Sequence, residues 1–376
     1  MSAKYLHAHR SRRYAGQGRV TADSCGERAD AAHERIVEET RYFNETLLDG
    51  KWDQMMSYHP RDLPVFDELR TATVEGGDVP GLGVIPEGHH EPVQEGAIHP
   101  PSLPTFDRRT DRDRFLGLFA RGTEPVEWTV ETSDDWIELS EEGGTLADET
   151  RLRVGVDWAA VPDGGATGTV TILRHKSPWG CGNEKKVRVV ATPARQTGGD
   201  FAVVDGVAAM EAEHASRRRE GEGTHWVDAD VPGQVSGETV AVVPAVFESY
   251  DPDTGDAPRL EFDVDVPDSG TVTVDVYCIP TQSLTEERDL RYAVDIGDDR
   301  VVTSIDPAGG EHNHTWQQNV LRGAAVGTTR HEIPAAGVQT FALDALDPSL
   351  VVDRIVVLAD SDEETYLGPR ETSVDD

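Results

Sequence analysis

Apolar residues recur along this chain with two different periods, and the change of period marks its regions. Up to about residue 57 there is no proline, and Ile36, Val37, Phe43, Leu47 and Leu48 fall at helical spacing. The pattern predicts two helices over residues 1–58, broken near Gly16 and Gly18. Trp52, Met55 and Met56 add a further apolar cluster. A helix pair cannot bury both apolar faces alone, so something is expected to pack on this segment. From 59 to 104 the stretches PRDLP, EGGDVPGLG, PEGHHEP and HPPSLP interrupt helix and strand alike, which predicts a linker or extended connection. Its histidines, His89, His90 and His99, are read as solvated loop residues without a metal role.

Beyond this stretch the period shortens to two. Over 105–195 the segments VEWTVET, TRLRVGVDW and ATGTVTILR alternate apolar and polar positions between Gly and Asp turns, predicting a small Ig-like antiparallel β-sandwich. Trp128, Trp136 and Trp158 lie inside its strands, where aromatic residues are read as core and not as a sugar-stacking platform. Residues 200–370 repeat the pattern at larger scale in VDGVAAMEAEH, APRLEFDVDV, GTVTVDVYCI, LRYAVDIGDD, GVQTFALDAL and VVDRIVVLA. A jelly-roll sandwich without a helix of real length is expected, followed by an acidic tail at 371–376. The fold class is therefore mainly β, two antiparallel sandwiches preceded by an α-helical segment.

Composition adds a constraint on environment. Acidic residues outnumber basic ones 70 to 35, for a net charge of -35, and the excess is spread along all 376 residues. The lysines are Lys4, Lys51, Lys176, Lys185 and Lys186, so nearly all positive charge is arginine. Molar salt shortens the screening length to roughly 3 Å and suppresses such self-repulsion, so the pattern reads as adaptation to high salt. The same charge argues against nucleic acid or an anionic membrane as partner. Cys25, Cys181 and Cys278 lie far apart, supporting neither a disulfide framework nor a zinc site. No apolar run reaches membrane-spanning length, and MSAKYLHAHRSRRY lacks the apolar core of a signal peptide, so an unprocessed cytoplasmic chain is the default expectation.

Sequence motifs for nucleotide binding, serine hydrolysis or zinc proteolysis are absent. Two constellations stand above the acidic background. In MEAEHA, Glu211 and Glu213 would share one face of a strand, where a hard cation with oxygen ligands could sit; a pair of solvated strand glutamates is the alternative. In EHNHTW, His312 and His314 stand near Trp316 in an expected loop, and without a third ligand the plain loop is preferred.

The segments RSRRYAGQGRVTAD and TRYFNETLLDGKWDQMMS resemble the last helices of the helical domain in glycoside hydrolase family 115. LPTFDRRTDRDRFLGLFARGTEPVEWTVETSDDWIELS resembles that family's central sandwich. MEAEH, PRLEFDVDV, VTVDVYCIPT, LRYAVDIGDD, DPSLVVDRIVV and YLGPRE follow its C-terminal domain in order. Where the family continues from Met-Met into a glycine- and aromatic-rich turn, this chain reads SYHPRDLPVFDELR.

The resemblance implies a xylan α-glucuronidase, which hydrolyses 4-O-methylglucuronic acid from xylan. Its catalytic (β/α)8 barrel lies upstream of the matched segments, so no catalytic residue carries over. The expected role is an accessory, carbohydrate-binding-like portion with acidic xylan or a glucuronoxylan oligosaccharide as partner. The alternatives are a subunit assembling with a separately encoded barrel chain, or an inactive relic of a split gene. The C-terminal sandwich resembles carbohydrate-binding modules, in which the Glu-x-Glu pair often holds structural calcium. Glu211 and Glu213 would then be ligands, with Asp353 closing the site. Trp226, Tyr250 and Trp316, in polar and turn-like sequence, are the expected sugar contacts, unlike Tyr277 inside a core strand.

Overall fold

The computed structural model describes residues 2–59, 66–74, 81–110, 112–122, 124–175, 184–193, 198–230, 238–245, 248–281, 290–305, 314–359 and 368–374. They form two compact units: residues 1–106 with 112–193, and residues 107–111 with 194–376.

The first unit begins with helices α1 (Ser2–Gln17) and α2 (Thr21–Arg41), an αα-hairpin turned at Gly18 in the left-handed region. Small residues let the two approach: Ala8, Ser11, Ala22, Cys25, Gly26 and Ala29 are buried, and a side chain on Gly26 would stand 3.5 Å from Ser11 Oγ. Lys4 is 1 % exposed and donates from Nζ to the Asp67 carbonyl at 2.6 Å. Past Ala29 no residue of α2 is buried, so the second half of that helix is more open to solvent than the first. Tyr42, Leu48, Met55, Met56 and Tyr58 are all exposed at this end of the segment.

A sandwich follows. One sheet runs in the order Leu82–Pro86, Arg114–Ala120, Glu149–Val156, Ile137–Leu139. The other runs Glu184–Thr192, Ala166–Arg174, Val126–Thr132, Gly143–Leu146. Leu116, Leu118 and Val154 from the first meet Trp128, Ile172 and Val187 from the second in one core, and Trp136 is buried in it. Core placement of Trp128 and Trp136 agrees with the sequence reading.

The 59–104 stretch is more than the expected connection. Leu82–Pro86 pairs antiparallel with Arg114–Ala120, and Leu82, Val84, Val93 and Leu103 all enter the core. A continuous run buried at every position carries no alternation to reveal it, and Gly83 is required because a Cβ there would lie 2.1 Å from the Phe119 ring. Lys185, 4 % exposed, is likewise enclosed and pairs with Glu95 at 3.5 Å.

The second unit is the larger sandwich. Its first sheet runs Phe201–Ala202, Arg259–Val266, Gly337–Ala345, Arg291–Ile296, Asp299–Ser304, with Arg217–Arg219 also paired to Arg259–Val266. Its second runs His225–Ala229, Thr239–Val243, Val351–Leu358, Gly270–Cys278, Ala325–Ile333, with Val207–Glu211 also on Val351–Leu358. Strand alternation sends Leu260, Phe262 and Val264 inward against Val274, Val276 and Ile355. The opposite face carries an ion-pair lattice: Asp344, 1 % exposed, accepts from Arg259 Nε at 2.6 Å, Arg259 Nη2 at 2.8 Å and Arg300 Nη1 at 2.7 Å.

Two corrections fall in this unit. A helix, α3 (His314–Arg322), interrupts the strands where a loop was expected. The tail is not free: Thr372 N donates to Ala209 O at 2.8 Å and Val374 N to Asp200 O at 2.8 Å, so residues 371–374 are sewn to the sandwich, while 375–376 lie outside the described residues. Among the described residues no helix is long and apolar enough to cross a membrane.

Candidate functional site: an acidic cluster and a loop edge

The first candidate site grows from three neighbouring strands. Glu211 and Tyr277 pair with Arg354 from opposite sides, so Tyr277, Arg354 and Glu211 form one row across the sheet. The register shifts between Tyr277 and Cys278 from Arg354 to Val352, which leaves Asp353 as the extra residue of a β-bulge and re-aims its carboxylate. Glu211 ends its strand, and Glu213 belongs to the 3-10 turn Ala212–His214, so the pair does not share a strand face as the sequence suggested.

Charge dominates this place. Glu211 Oε1 lies 3.2 Å from Arg354 Nη2, and Asp353 Oδ2 lies 3.5 Å from Arg354 Nε. Glu371 accepts from the Glu211 amide at 3.0 Å and contacts His214 Nδ1 at 2.9 Å. Burial pushes the Glu211 carboxyl up to about 7; Arg354 opposes the rise, while Asp353, Glu213 and Glu371 add to it. His214 is also moved upward: burial pulls it down, and the Glu371 carboxylate outweighs that.

Glu211 feels the charges of Asp353, Glu213 and Glu371, oxygen donors of the kind a hard cation takes. Among the described residues, however, no three His, Cys, Asp or Glu side chains stand grouped to hold a metal ion. Glu211 and Asp353 close on Arg354 instead. Arg354 and Glu371 were not singled out from sequence. The available signal was a charged pair, Asp353–Arg354, inside an otherwise apolar strand that is buried almost throughout.

The second candidate lies around Tyr250. Its ring is half-buried against Ala257, Ala293 and Leu346. Its hydroxyl donates to the Glu222 carbonyl at 2.8 Å and stands 2.7 Å from Thr224 Oγ1. The amide of Tyr250 donates to Leu346 O, tying it to the turn before the last strand. In that turn Asp347, 2 % exposed, accepts from Arg291 N and Nε at 2.9 and 2.8 Å. Ser349 has φ +73°, an uncommon backbone for a non-glycine residue, and its carbonyl accepts from Thr281 Oγ1 at 2.7 Å.

The other expected sugar contacts fare differently. Trp226 is not in a turn: it occupies the strand His225–Ala229, as the one buried position of its five residues, and is 8 % exposed within the main core. Trp316 lies on α3, and its side chain lies outside the described residues, as does His312. The structure thus does not bring Trp226, Tyr250 and Trp316 together as a described platform.

No curated protein matches the sequence. Among solved structures, the chain is similar to a family 115 4-O-methyl-α-glucuronidase with specificity for decorated arabinogalactans, at 14% identity and TM-score 0.42 over 89% of this chain and 25% of that one. The chain therefore spans about a quarter of that enzyme's length. It is also similar to the C-terminal family 6 carbohydrate-binding module of a marine laminarinase from Zobellia galactanivorans, at 15% identity and TM-score 0.26 over 40% of this chain and 98% of the module. A family 35 carbohydrate-binding module from Clostridium thermocellum aligns at 15% identity and TM-score 0.29, over 41% of this chain and 98% of the module. Over residues 200–371, the part that carries both the Arg354 cluster and the Tyr250 edge, the sequence matches the family model of the glycosyl hydrolase family 115 C-terminal domain.

Proposed function

We propose that this chain is the accessory, carbohydrate-binding-like portion of a family 115 α-glucuronidase, with glucuronic-acid-bearing xylan as its ligand class. The observation that carries the reading is the family-model match over residues 200–371. Tyr250 is the sugar contact, since its half-buried ring is fixed by two hydroxyl contacts and a backbone bond at a loop edge. In molar KCl the purified chain should be retarded on native gels containing glucuronoxylan and should release no glucuronic acid from it. Turnover above a heat-killed control would sink the accessory reading. Unretarded migration would sink the ligand class.

A second reading, a subunit that meets a separately encoded barrel chain, is favoured by the helical segment. Tyr5, Leu6, Tyr42, Leu48, Met55, Met56 and Tyr58 make up seven of the ten exposed large apolar side chains among the described residues.

Structural calcium is proposed at Glu211, Glu213 and Asp353. Support comes from the Glu211 carboxyl, lifted by burial and by its acidic neighbours, which a divalent cation would relieve. Calcium would be held there as a structural ion, with no part in a reaction. Millimolar calcium at constant ionic strength should raise the melting temperature, and Glu211→Ala with Glu213→Ala should remove the shift. An unchanged melting curve would leave the glutamates as ordinary members of the Arg354 cluster.

A further inference from the structure

The hairpin of the first unit divides its charge between its two helices. From Ser2 to Ala22 the sequence holds Lys4, Arg10, Arg12, Arg13 and Arg19 and no acidic residue, in a chain where acids outnumber bases 70 to 35. α2 is the reverse. Its Glu27, Asp30, Glu34 and Glu38 recur at spacings of three and four, which sets them in one row along the helix. All four are exposed, as are His9, Arg10, Arg12 and Arg13 on α1. Arg28 and Arg35 stand about 100° around α2 from that row, and Arg35 is paired with Glu39 at 3.6 Å.

Within the chain the two sets do not meet. Arg13 contacts His90 Nδ1 at 2.6 Å. Arg10 and Arg12 have no hydrogen bond or ion pair among the described residues, and neither have the side chains of Glu27, Asp30, Glu34 and Glu38. The cause is the seam of small residues: Ala8, Ser11, Cys25 and Gly26 are the buried positions, and the long charged side chains are left outside. A polyanion would be attracted by α1 and repelled by α2 beside it. A surface with the same division of charge fits both helices.

We propose that this surface is a second copy of the hairpin, so that α1 and α2 form a homodimer interface. A two-fold axis parallel to the helices lays α1 of one copy antiparallel on α2 of the other, in a four-helix arrangement. A two-fold across the helices would lay α1 on α1 and set like charge against like. Ser11 stands level with Gly26, since a Cβ on Gly26 would lie 3.5 Å from Ser11 Oγ. Rotation about the parallel axis preserves height, so Arg10 and Arg12 come within about one turn of Glu27 of the second copy. In the same register Tyr5 and Leu6, 38% and 50% exposed, fall opposite Ala31 and Ala32, which are small enough to admit them.

Two chains of net charge -35 repel each other. Molar salt shortens screening to roughly 3 Å, which suppresses that repulsion more than pairs made at contact. A hairpin about 24 Å long and about 20 Å wide offers about 500 Å² per copy, at the low end for a specific interface, so association is expected in the micromolar range.

Sedimentation velocity of the full chain in about 2 M KCl, from about 1 to about 100 µM, tests this. Wild type should pass from monomer to dimer over that range. Arg10→Glu with Arg12→Glu makes both seams acidic, and Glu27→Arg with Asp30→Arg makes both basic at that height. Either variant alone should associate at least about tenfold more weakly. An equal mixture of the two variants should recover the dimer, because each seam then joins an acidic helix to a basic one, and a misfolded chain would not recover. Wild type monomeric up to about 100 µM would overturn the proposal. So would a dimer indifferent to both reversals, or a mixture as monomeric as its components.

Discussion

Replacing Asp344 with alanine is the sharpest test of how the C-terminal sandwich is held together. The Asp344 side chain has no exposure and receives three hydrogen bonds from two guanidiniums. Removing it leaves Arg259 and Arg300 to share Asp295, to which both are already paired. Charge-assisted hydrogen bonds contribute about 1.5–3 kcal/mol each, so the simple sum for three is an upper bound. Both arginines keep some access to water, 19% and 26% by side chain, and turning toward it recovers part of the loss. The loss should therefore sit near the low end of that for a broken buried ion pair, about 3 kcal/mol. With a urea dependence of about 2 kcal/mol/M, the unfolding midpoint of this sandwich should fall by about 1.5 M. Urea is the right denaturant because it leaves the ionic strength, held in the molar range, constant along the titration, which guanidinium chloride would not. Adding Arg300→Met should cost much less in the Asp344→Ala background than in wild type. A midpoint shift below about 0.3 M would refute the argument that this lattice is integral to the fold.

Three further outcomes follow from the same geometry. Burial pushes the Asp344 and Asp347 carboxyls up, but hydrogen bonds from Arg259 and Arg300 on one, and from Arg291 and Ser249 on the other, hold both below the usual carboxylate range. Groups depressed in the folded state contribute stability above their unfolded pKa, about 3.9, and lose it as pH falls through the folded values, so acid titration below about pH 4 should unfold this sandwich and Asp347→Asn should reduce the steepness. Trp226→Ala should cost about 3–5 kcal/mol, whereas Tyr250→Ala should weaken retention by glucuronoxylan at a smaller cost in stability, and the reverse pattern would exchange their roles. Circular dichroism should show native β-sheet in about 2 M KCl and progressive loss towards about 0.1 M, where screening reaches roughly 10 Å, with the N-terminal helices lost first; full helicity at the lower salt would contradict the salt adaptation.

The strands of both sandwiches were legible because one face of each meets a core and the other meets water. Arg259–Val266 shows this, with Leu260, Phe262 and Val264 inward and Arg259, Glu261 and Asp263 outward. The rule failed where that asymmetry is missing. Leu82–Pro86 is buried at every position, and its Gly and Pro read as turn signals although Gly83 is there to admit Phe119. Trp226 was misplaced because its strand is short and flanked by charge, so a single inward aromatic looked like a residue in a polar loop. The Glu211 and Asp353 carboxylates were legible as candidates, but the guanidinium between them was not. Their juxtaposition depends on a cross-strand pair and a bulge that join residues far apart in sequence, and local spacing carries no trace of either.

The enclosed amines of the first unit have a use outside folding. Lys4 and Lys185 are almost without exposure, and burial lowers the basicity of both, against neighbours Asp67 and Glu95 that raise it. Amine-reactive reagents are therefore blocked by access at these two positions while the unit is closed. One amine sits on α1 under the helical hairpin and the other on the strand Glu184–Thr192 inside the sandwich. In a chain with only five lysines, acylation at Lys4 and at Lys185 becomes a native two-channel clock. The order in which the two positions are labelled reports whether the hairpin or the sandwich opens first.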